Sequence, residues 1–334
     1  MTPRLLALAL FLVACDAKTD GSSDTTDATD TTDATDTTDT TDATDTTDTG
    51  TTTPPAALGC ALTPPLTGPI QQVRQATDGT VWFTVADELY RYTPTGDGST
   101  CALEGARVWE AGTLEDVTDF ELDSAGNAYL LIFFDRIVQL QADGSPGSYD
   151  CDGGVSGHSI AVTPAGDRVY TVAIGADELE WTDLAGGVCT VSETTHVLAN
   201  NISTAPATDG TELVVDHHDP GSDLPPGVVL DPSDGTELRA MGTGQIGEAE
   251  IAAIADIAPT GGGDYWVVGS PGGNLWRVAN AGEVAAVFEA EALLAMPEGE
   301  TINITSVAWA GGTQPIYVSA SFLDTVGLWR FDSL

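Results

Sequence analysis

Lysine is all but missing: ten basic residues face 51 acidic ones, and only Lys18 among the ten is a lysine. That scarcity removes Schiff-base lysines, phosphate-loop lysines and basic nucleic-acid patches together, so nucleic acid is not an expected partner. No Cys-x-x-Cys pair accompanies the five cysteines, which argues against a zinc centre. No apolar run approaches the roughly 20 residues that a membrane-spanning helix needs; Leu5 to Ala14 falls well short. What the chain has in quantity is glycine, 37 residues, with 7 tryptophans and 42% hydrophobic residues. That composition suits short strands joined by turns around a sizeable core.

Arg4 followed by the apolar run Leu5–Ala14 has the form of a signal-peptide core. Its end, Leu12-Val13-Ala14-Cys15, resembles a bacterial lipobox. The resemblance implies that residues 1–15 are a lipoprotein signal peptide, with Cys15 lipidated as the first mature residue and anchoring the chain in a membrane. The alternative is an ordinary secretory signal in which Cys15 is incidental. Asp16 comes next, an acidic residue that holds enteric lipoproteins at the inner membrane but need not do so elsewhere. The expected location is the bacterial cell envelope, facing the periplasm or the surface, with the inner membrane left open. From Asp24 to Asp48 an aspartate recurs at every third position between threonine and alanine. Such a run has no core-forming residues and repels itself, so residues 16–57 are expected to be a disordered tether, spanning roughly 35 Å as a coil and about 130 Å as a polyproline-II rod. A weak calcium-binding repeat and a scaffold for threonine O-glycosylation are the alternatives.

Beyond residue 57 one unit recurs six times: an apolar strand, a glycine turn, an aromatic or β-branched strand, then a third strand. The turn glycines are Gly79, Gly126, Gly166, Gly210, Gly263 and Gly312, at intervals of 47, 40, 44, 53 and 49, room for four strands per unit. Second strands read Val81-Trp82-Phe83-Thr84-Val85 or Tyr265-Trp266-Val267-Val268, and third strands share Leu-aromatic-Arg at Leu89-Tyr90-Arg91, Leu275-Trp276-Arg277 and Leu328-Trp329-Arg330. Their near-continuous apolar character suits sheets covered on both faces. The pattern Asp78-Gly79-Thr80-Val81-Trp82, joined to Tyr90-Arg91-Tyr92 and a Thr95-Gly96 turn, resembles six-bladed β-propellers of the NHL and SMP-30/gluconolactonase type. The Gly-His and Trp-Asp signatures of WD40 repeats do not recur, and a β-sandwich or jelly roll would leave the sixfold repeat unexplained. The last repeat ends after its third strand, while Gly59-Cys60-Ala61-Leu62 matches Thr100-Cys101-Ala102-Leu103 where the first repeat's fourth strand begins. The N-terminal segment is therefore expected to complete the last blade, closing a ring over 58–334.

Of the remaining cysteines, an even number in an exported chain suggests two disulfides, with Cys60–Cys101 and Cys151–Cys189 as the chain-order pairing among three. All four are expected near fourth-strand starts, equivalent positions on neighbouring blades being too far apart to bridge without loop movement; buried free thiols are the alternative. Gly157-His158-Ser159-Ile160-Ala161 nearly spells a nucleophile elbow, but Thr163-Pro164-Ala165-Gly166 leads into another strand instead of the helix an elbow needs. Asp216-His217-His218-Asp219 reads as a solvated loop before a metal site. Seven residues before each turn glycine stand Gln72, Asp119, Ser159, Ser203, Asp256 and Thr305, all polar, which would face the central channel as a water-lined or ligand-binding ring. The family resemblance implies inner-strand Glu, Asn and Asp around a divalent metal, calcium or another; the ring holds no glutamate, and the nearest set is Asp119, Asp256 and Asn201.

The leading expectation is a monomeric, non-enzymatic propeller, displayed through its lipid anchor, that binds a protein, glycan or ion through its face or channel, with no residue assigned a catalytic role. The rival is a metal-dependent hydrolase of lactonase type. A structural surface protein without ligand would have a blocked channel. Fold alone does not choose among them.

Overall fold

Each repeat folds as a four-stranded antiparallel sheet. The computed structural model describes residues 58–60 and 68–334, short loop segments excepted. Blade 1 runs Ile70–Gln75, Val81–Val85, Glu88–Thr95 and Ala102–Trp109 from axis to rim; blade 2 runs Val117–Leu122, Ala128–Ile132, Arg136–Leu140 and Pro146–Asp152. Blades 3, 4 and 5 begin with the inner strands Ser159–Val162, Ala207–Thr208 and Ala253–Pro259. Blade 6 takes Asn303–Ala308, Ile316–Phe322 and Thr325–Phe331 from the C-terminus and its outer strand, Leu58–Cys60, from the N-terminal side, paired antiparallel as Leu58 with Arg330 and Cys60 with Leu328. This is the six-bladed propeller, closed as the sequence suggests; a strand that would otherwise end as an open edge at Thr325–Phe331 is paired.

All six turn glycines adopt left-handed backbone, with φ between +62° and +87°. A Cβ there would meet the adjoining carbonyl, so glycine is what the turn from inner to second strand requires. Preceding aspartates tighten these turns: Asp78 accepts from the Thr80 amide, Asp123 from Ala125 and Asn127, and Asp209 from Thr211.

Second strands are buried on both faces because each is sandwiched between neighbouring blades. Six apolar clusters fill the six interfaces. Trp82 of blade 1 packs with Phe120 and Leu130 of blade 2; Tyr317 and Leu328 of blade 6 pack with Val73 and Phe83 of blade 1, sealing the ring. Trp82→Ala would cost about 3–5 kcal/mol through the cavity left in the first of these. The one departure from strand and turn among the described residues is the four-residue helix Ala290–Leu293, whose Ala290 and Leu293 plug the cluster between blades 5 and 6. Among the described residues no helix is long and apolar enough to cross a membrane.

Cys151 and Cys189 are disulfide-bonded with Cα atoms 5.9 Å apart. They do not occupy the equivalent places expected from the sequence: Cys151 lies near the end of blade 2's outer strand and Cys189 near the start of Val188–Val197, the outer strand of blade 3. The distance objection applied to equivalent positions and so does not arise. The Cys60 side chain and Cys101 lie outside the described residues, as do residues 1–57 with Cys15.

Candidate functional site

The inner strands are edge strands, and their channel-facing amides need partners that no further strand supplies. Side chains of the neighbouring blade supply them. The Ile160 amide of blade 3 donates to Asp119 of blade 2 at 2.8 Å, the Val307 amide of blade 6 to Asp256 of blade 5 at 3.0 Å, and the Val73 amide of blade 1 to Ser306 of blade 6 at 2.9 Å. Each aspartate also accepts from the amide next in the chain, Phe120 at 2.7 Å and Ile257 at 2.9 Å. Short polar side chains at this level therefore stitch blade to blade.

Arg74 lies across the middle of the channel. It is the one buried arginine of the described eight, 7% exposed. Its Nε donates to Glu121 of blade 2 at 2.7 Å; its Nη1 donates to Asp256 of blade 5 at 3.0 Å, to the Val73 carbonyl at 2.8 Å and to Ser306 at 3.3 Å. Ser306 also bonds Asp256 directly. The guanidinium lies 5.9 Å from the Phe120 ring centroid. One side chain thus ties blades 1, 2, 5 and 6. Burial works against the charged guanidinium, but Asp256, Glu121 and Asp119 outweigh it and hold Arg74 protonated. Burial pushes the Asp119 carboxyl up to about 7 against the pull of Arg74 and the Ile160 amide, and pushes Glu121 up against Arg74.

The staple separates two cavities on the axis. The first, about 270 Å³, opens where inner strands turn into second strands and is called the turn mouth; Arg74, Gln75, Glu121, Asp209 and Trp309 are among its walls. The second, about 470 Å³, opens beside the hairpins between second and third strands and is called the hairpin mouth; it is lined by Gln71, Gln72, Asp87, Asp116, Phe133 and His158, among others. Backbone strain gathers at this end: Ala86, Asp87 and Phe133 have φ of 49°, 66° and 48°.

The ring read from the sequence needs a correction of register. In blades 1, 2, 5 and 6 the inner strand carries an irregularity, between Ile70 and Val73, Val117 and Asp119, Ile254 and Asp256, and Ile304 and Ser306. A fixed count back from the turn glycine lands correctly on Gln72, Asp119 and Asp256 but one residue early in blade 6. Ser306 holds the equivalent place there and Thr305 sits on the bulge, while Gln72 precedes the buried Val73 as Asp119 precedes Phe120; Gln72, Ser159 and Thr305 line the hairpin mouth. Ser203 and Asn201 lie outside the described residues.

Of the set Asp119, Asp256 and Asn201, the first two bond across blades and Asn201 lies outside the described residues. Asp119 and Asp256 both already accept from backbone amides, and Arg74 Nη1 stands 3.0 Å from Asp256. No group of three or more His, Cys, Asp or Glu among the described residues is arranged to hold a metal. A glutamate does enter the channel, Glu121, but it is bound to Arg74. Ser159 begins the strand Ser159–Val162, and the turn at Gly166 leads to another strand, Arg168–Val172, so the elbow geometry is not formed. Asp216 is buried at the end of Leu213–Asp216, and His217, His218 and Asp219 lie outside the described residues.

Sequence reasoning missed Arg74, Gln75, Glu121 and Ser306. A signal was present: Ile70–Gln75 reads Ile-Gln-Gln-Val-Arg-Gln, four long polar side chains in one inner strand, whereas Val117–Leu122 has Glu121 alone and the inner strands of blades 3, 5 and 6 carry apolar or short ones.

No family model matches the chain, and no curated protein matches it. Solved structures do. The β-propeller domain of Cps50 (Swd1) from Myceliophteria thermophila matches with a TM-score of 0.52 at 11% identity, over 80% of this chain and 98% of that one. A protein of unknown function from Bacteroides caccae matches with a TM-score of 0.50 at 13% identity, over 72% of this chain and 85% of that one. At such identities the likeness speaks for the propeller fold alone.

Proposed function

We propose that this protein is a non-enzymatic interaction module of the bacterial cell envelope: an NHL-like propeller carried on the 16–57 tether and anchored through lipid on Cys15. The observation that carries the reading is the Arg74 staple. The channel's acidic side chains are committed to holding blades together, which leaves the two mouths and the outer face as recognition surfaces. The fold itself serves widely as a platform for interactions. A second clasp, Cys60–Cys101, would join the outer strands of blades 6 and 1 as Cys151–Cys189 joins those of blades 2 and 3, reinforcing closure. The anchor is tested by Cys15→Ser, which should move the protein out of the detergent phase and abolish acyl labelling; persistent partitioning would sink it. The module reading is tested against its hydrolase rival by a lactone and ester panel on the purified chain. Turnover that vanishes in Asp119→Asn and Asp256→Asn, with those variants folded, would favour the hydrolase.

A further inference from the structure

We propose that the turn mouth binds the neutral, hydroxyl-rich end of a saccharide; the proposal rests on the interaction-module reading and gives it a site and a ligand class. Gln75 is buried, 9% exposed, and lines the cavity. Its Oε1 accepts from the Ala310 amide at 3.1 Å, which fixes the orientation of the side-chain amide. Its Nε2 is then a buried donor without a partner. A donor in that state costs free energy until an acceptor arrives. Beside it, Arg74 spends Nε and Nη1 on the staple, and Nη2 makes no hydrogen bond among the described residues.

The surroundings narrow the acceptor. An anion is disfavoured, because the single guanidinium is already shared by Glu121 and Asp256, and Asp209 adds a further carboxylate to the wall. A cation would face the guanidinium and the amide donor at the floor. A purely apolar ligand would leave Gln75 as it is. What remains is a neutral group that both accepts and donates, and a sugar hydroxyl does both: it accepts from Gln75 Nε2 and donates to a carboxylate such as Asp209. Nearby hydroxyls are poor competitors as donors, since Thr77, Ser124, Thr208 and Thr260 already give their protons to the carbonyls of Ser124, Pro164, Glu212 and Asp264. The half-buried Trp309 offers an aromatic wall for the C–H face of a ring, its Nε1 held by the Gln314 carbonyl at 3.0 Å. A volume of about 270 Å³ lies just below the usual range for drug-sized ligands, so one sugar unit fits and a longer glycan would present its end.

The test is saturation-transfer NMR on the full chain with a panel of neutral mono- and disaccharides, using acetate and methylammonium as charged probes. At least one saccharide should bind and neither ion should. Gln75→Glu keeps an oxygen for the Ala310 amide and removes the donor, so it should weaken that saccharide about ten-fold, the worth of one buried hydrogen bond. Should that variant fail to fold, deoxy analogues of the bound sugar carry the test on the unaltered chain, one of them losing a similar factor. Silence across the panel, binding indifferent to both changes, or preference for either ion overturns the proposal. Such a failure leaves the module reading standing, because that reading falls only to turnover dependent on Asp119 and Asp256.

Discussion

The turn mouth and the hairpin mouth share one axis and one set of inner strands, yet they present opposite chemistry. At the turn mouth the unused groups on the floor are donors, Gln75 Nε2 and Arg74 Nη2, with the Asp209 carboxylate on the wall. At the hairpin mouth they are acceptors: Gln72 Oε1 is buried without a partner, and the Asp87 and Asp116 carboxylates bond to nothing among the described residues. One strand supplies both ends, since Ile70–Gln75 sends Gln71 and Gln72 to the hairpin mouth and Arg74 and Gln75 to the turn mouth, with the irregularity at Gln71–Gln72 between them. The difference teaches that a propeller's two faces need not be graded versions of one surface. A single polar strand with a buried arginine at its middle makes them chemically separate sites.

That separation depends first on the ring being closed. Removing 16–57 should leave melting nearly unchanged, because that aspartate- and threonine-rich run has no core-forming residues. Extending the deletion through Leu66 removes Leu58–Cys60 and bares the edge of Thr325–Phe331, and should lower the melting temperature more than any single substitution. Equal melting of the two truncations, monitored by circular dichroism, would break the account of closure.

Arg74→Met strikes the divider itself. It leaves Glu121 and Asp256 buried without their cation and should cost about 3–5 kcal/mol by urea denaturation. A cost under about 1 kcal/mol would mean that the staple is incidental.

Asp119→Asn sharpens the comparison through pH. The folded-state pKa near 7 lies above the roughly 3.9 of an unfolded aspartate, so the folded chain holds this proton more tightly. The resulting stabilisation is complete below about pH 4 and is lost as pH rises through about 7. The variant should therefore fall furthest behind the parent at acid pH and least at pH 8. A gap that widens with rising pH contradicts the assignment.

The smallest effect belongs to the hairpin mouth. Asp87 holds φ at 66°, a conformation glycine takes without strain, so Asp87→Gly should gain about 1 kcal/mol in thermal or urea melts while removing one acceptor from that mouth.

Much of this architecture was legible in the sequence. The six glycines announced their turns because left-handed backbone leaves little other choice, and Gly59-Cys60 announced closure because a missing fourth strand must come from somewhere. The second-strand aromatics marked the blade interfaces. The staple was not legible, because Arg74, Glu121, Asp256 and Ser306 are brought together only by ring closure from positions up to 232 residues apart. Nor was the register in blade 6, where a bulge displaces the count by one and puts Ser306 in the place the count gives to Thr305. Polar residues in an inner strand showed that something faces the channel; which neighbour each would meet depended on the packing of other blades.

Asp119 and Asp256 join blades through the Ile160 and Val307 amides, and that role is tested against metal binding most directly by thermal melting of the full chain in calcium chloride against sodium chloride at matched ionic strength. Both salts should raise the melting temperature alike, by screening the carboxylates that crowd a ring to which most of the 51 acidic residues belong. A further, saturable rise with calcium that disappears in both Asp119→Asn and Asp256→Asn would contradict the account and restore the channel as a cation site.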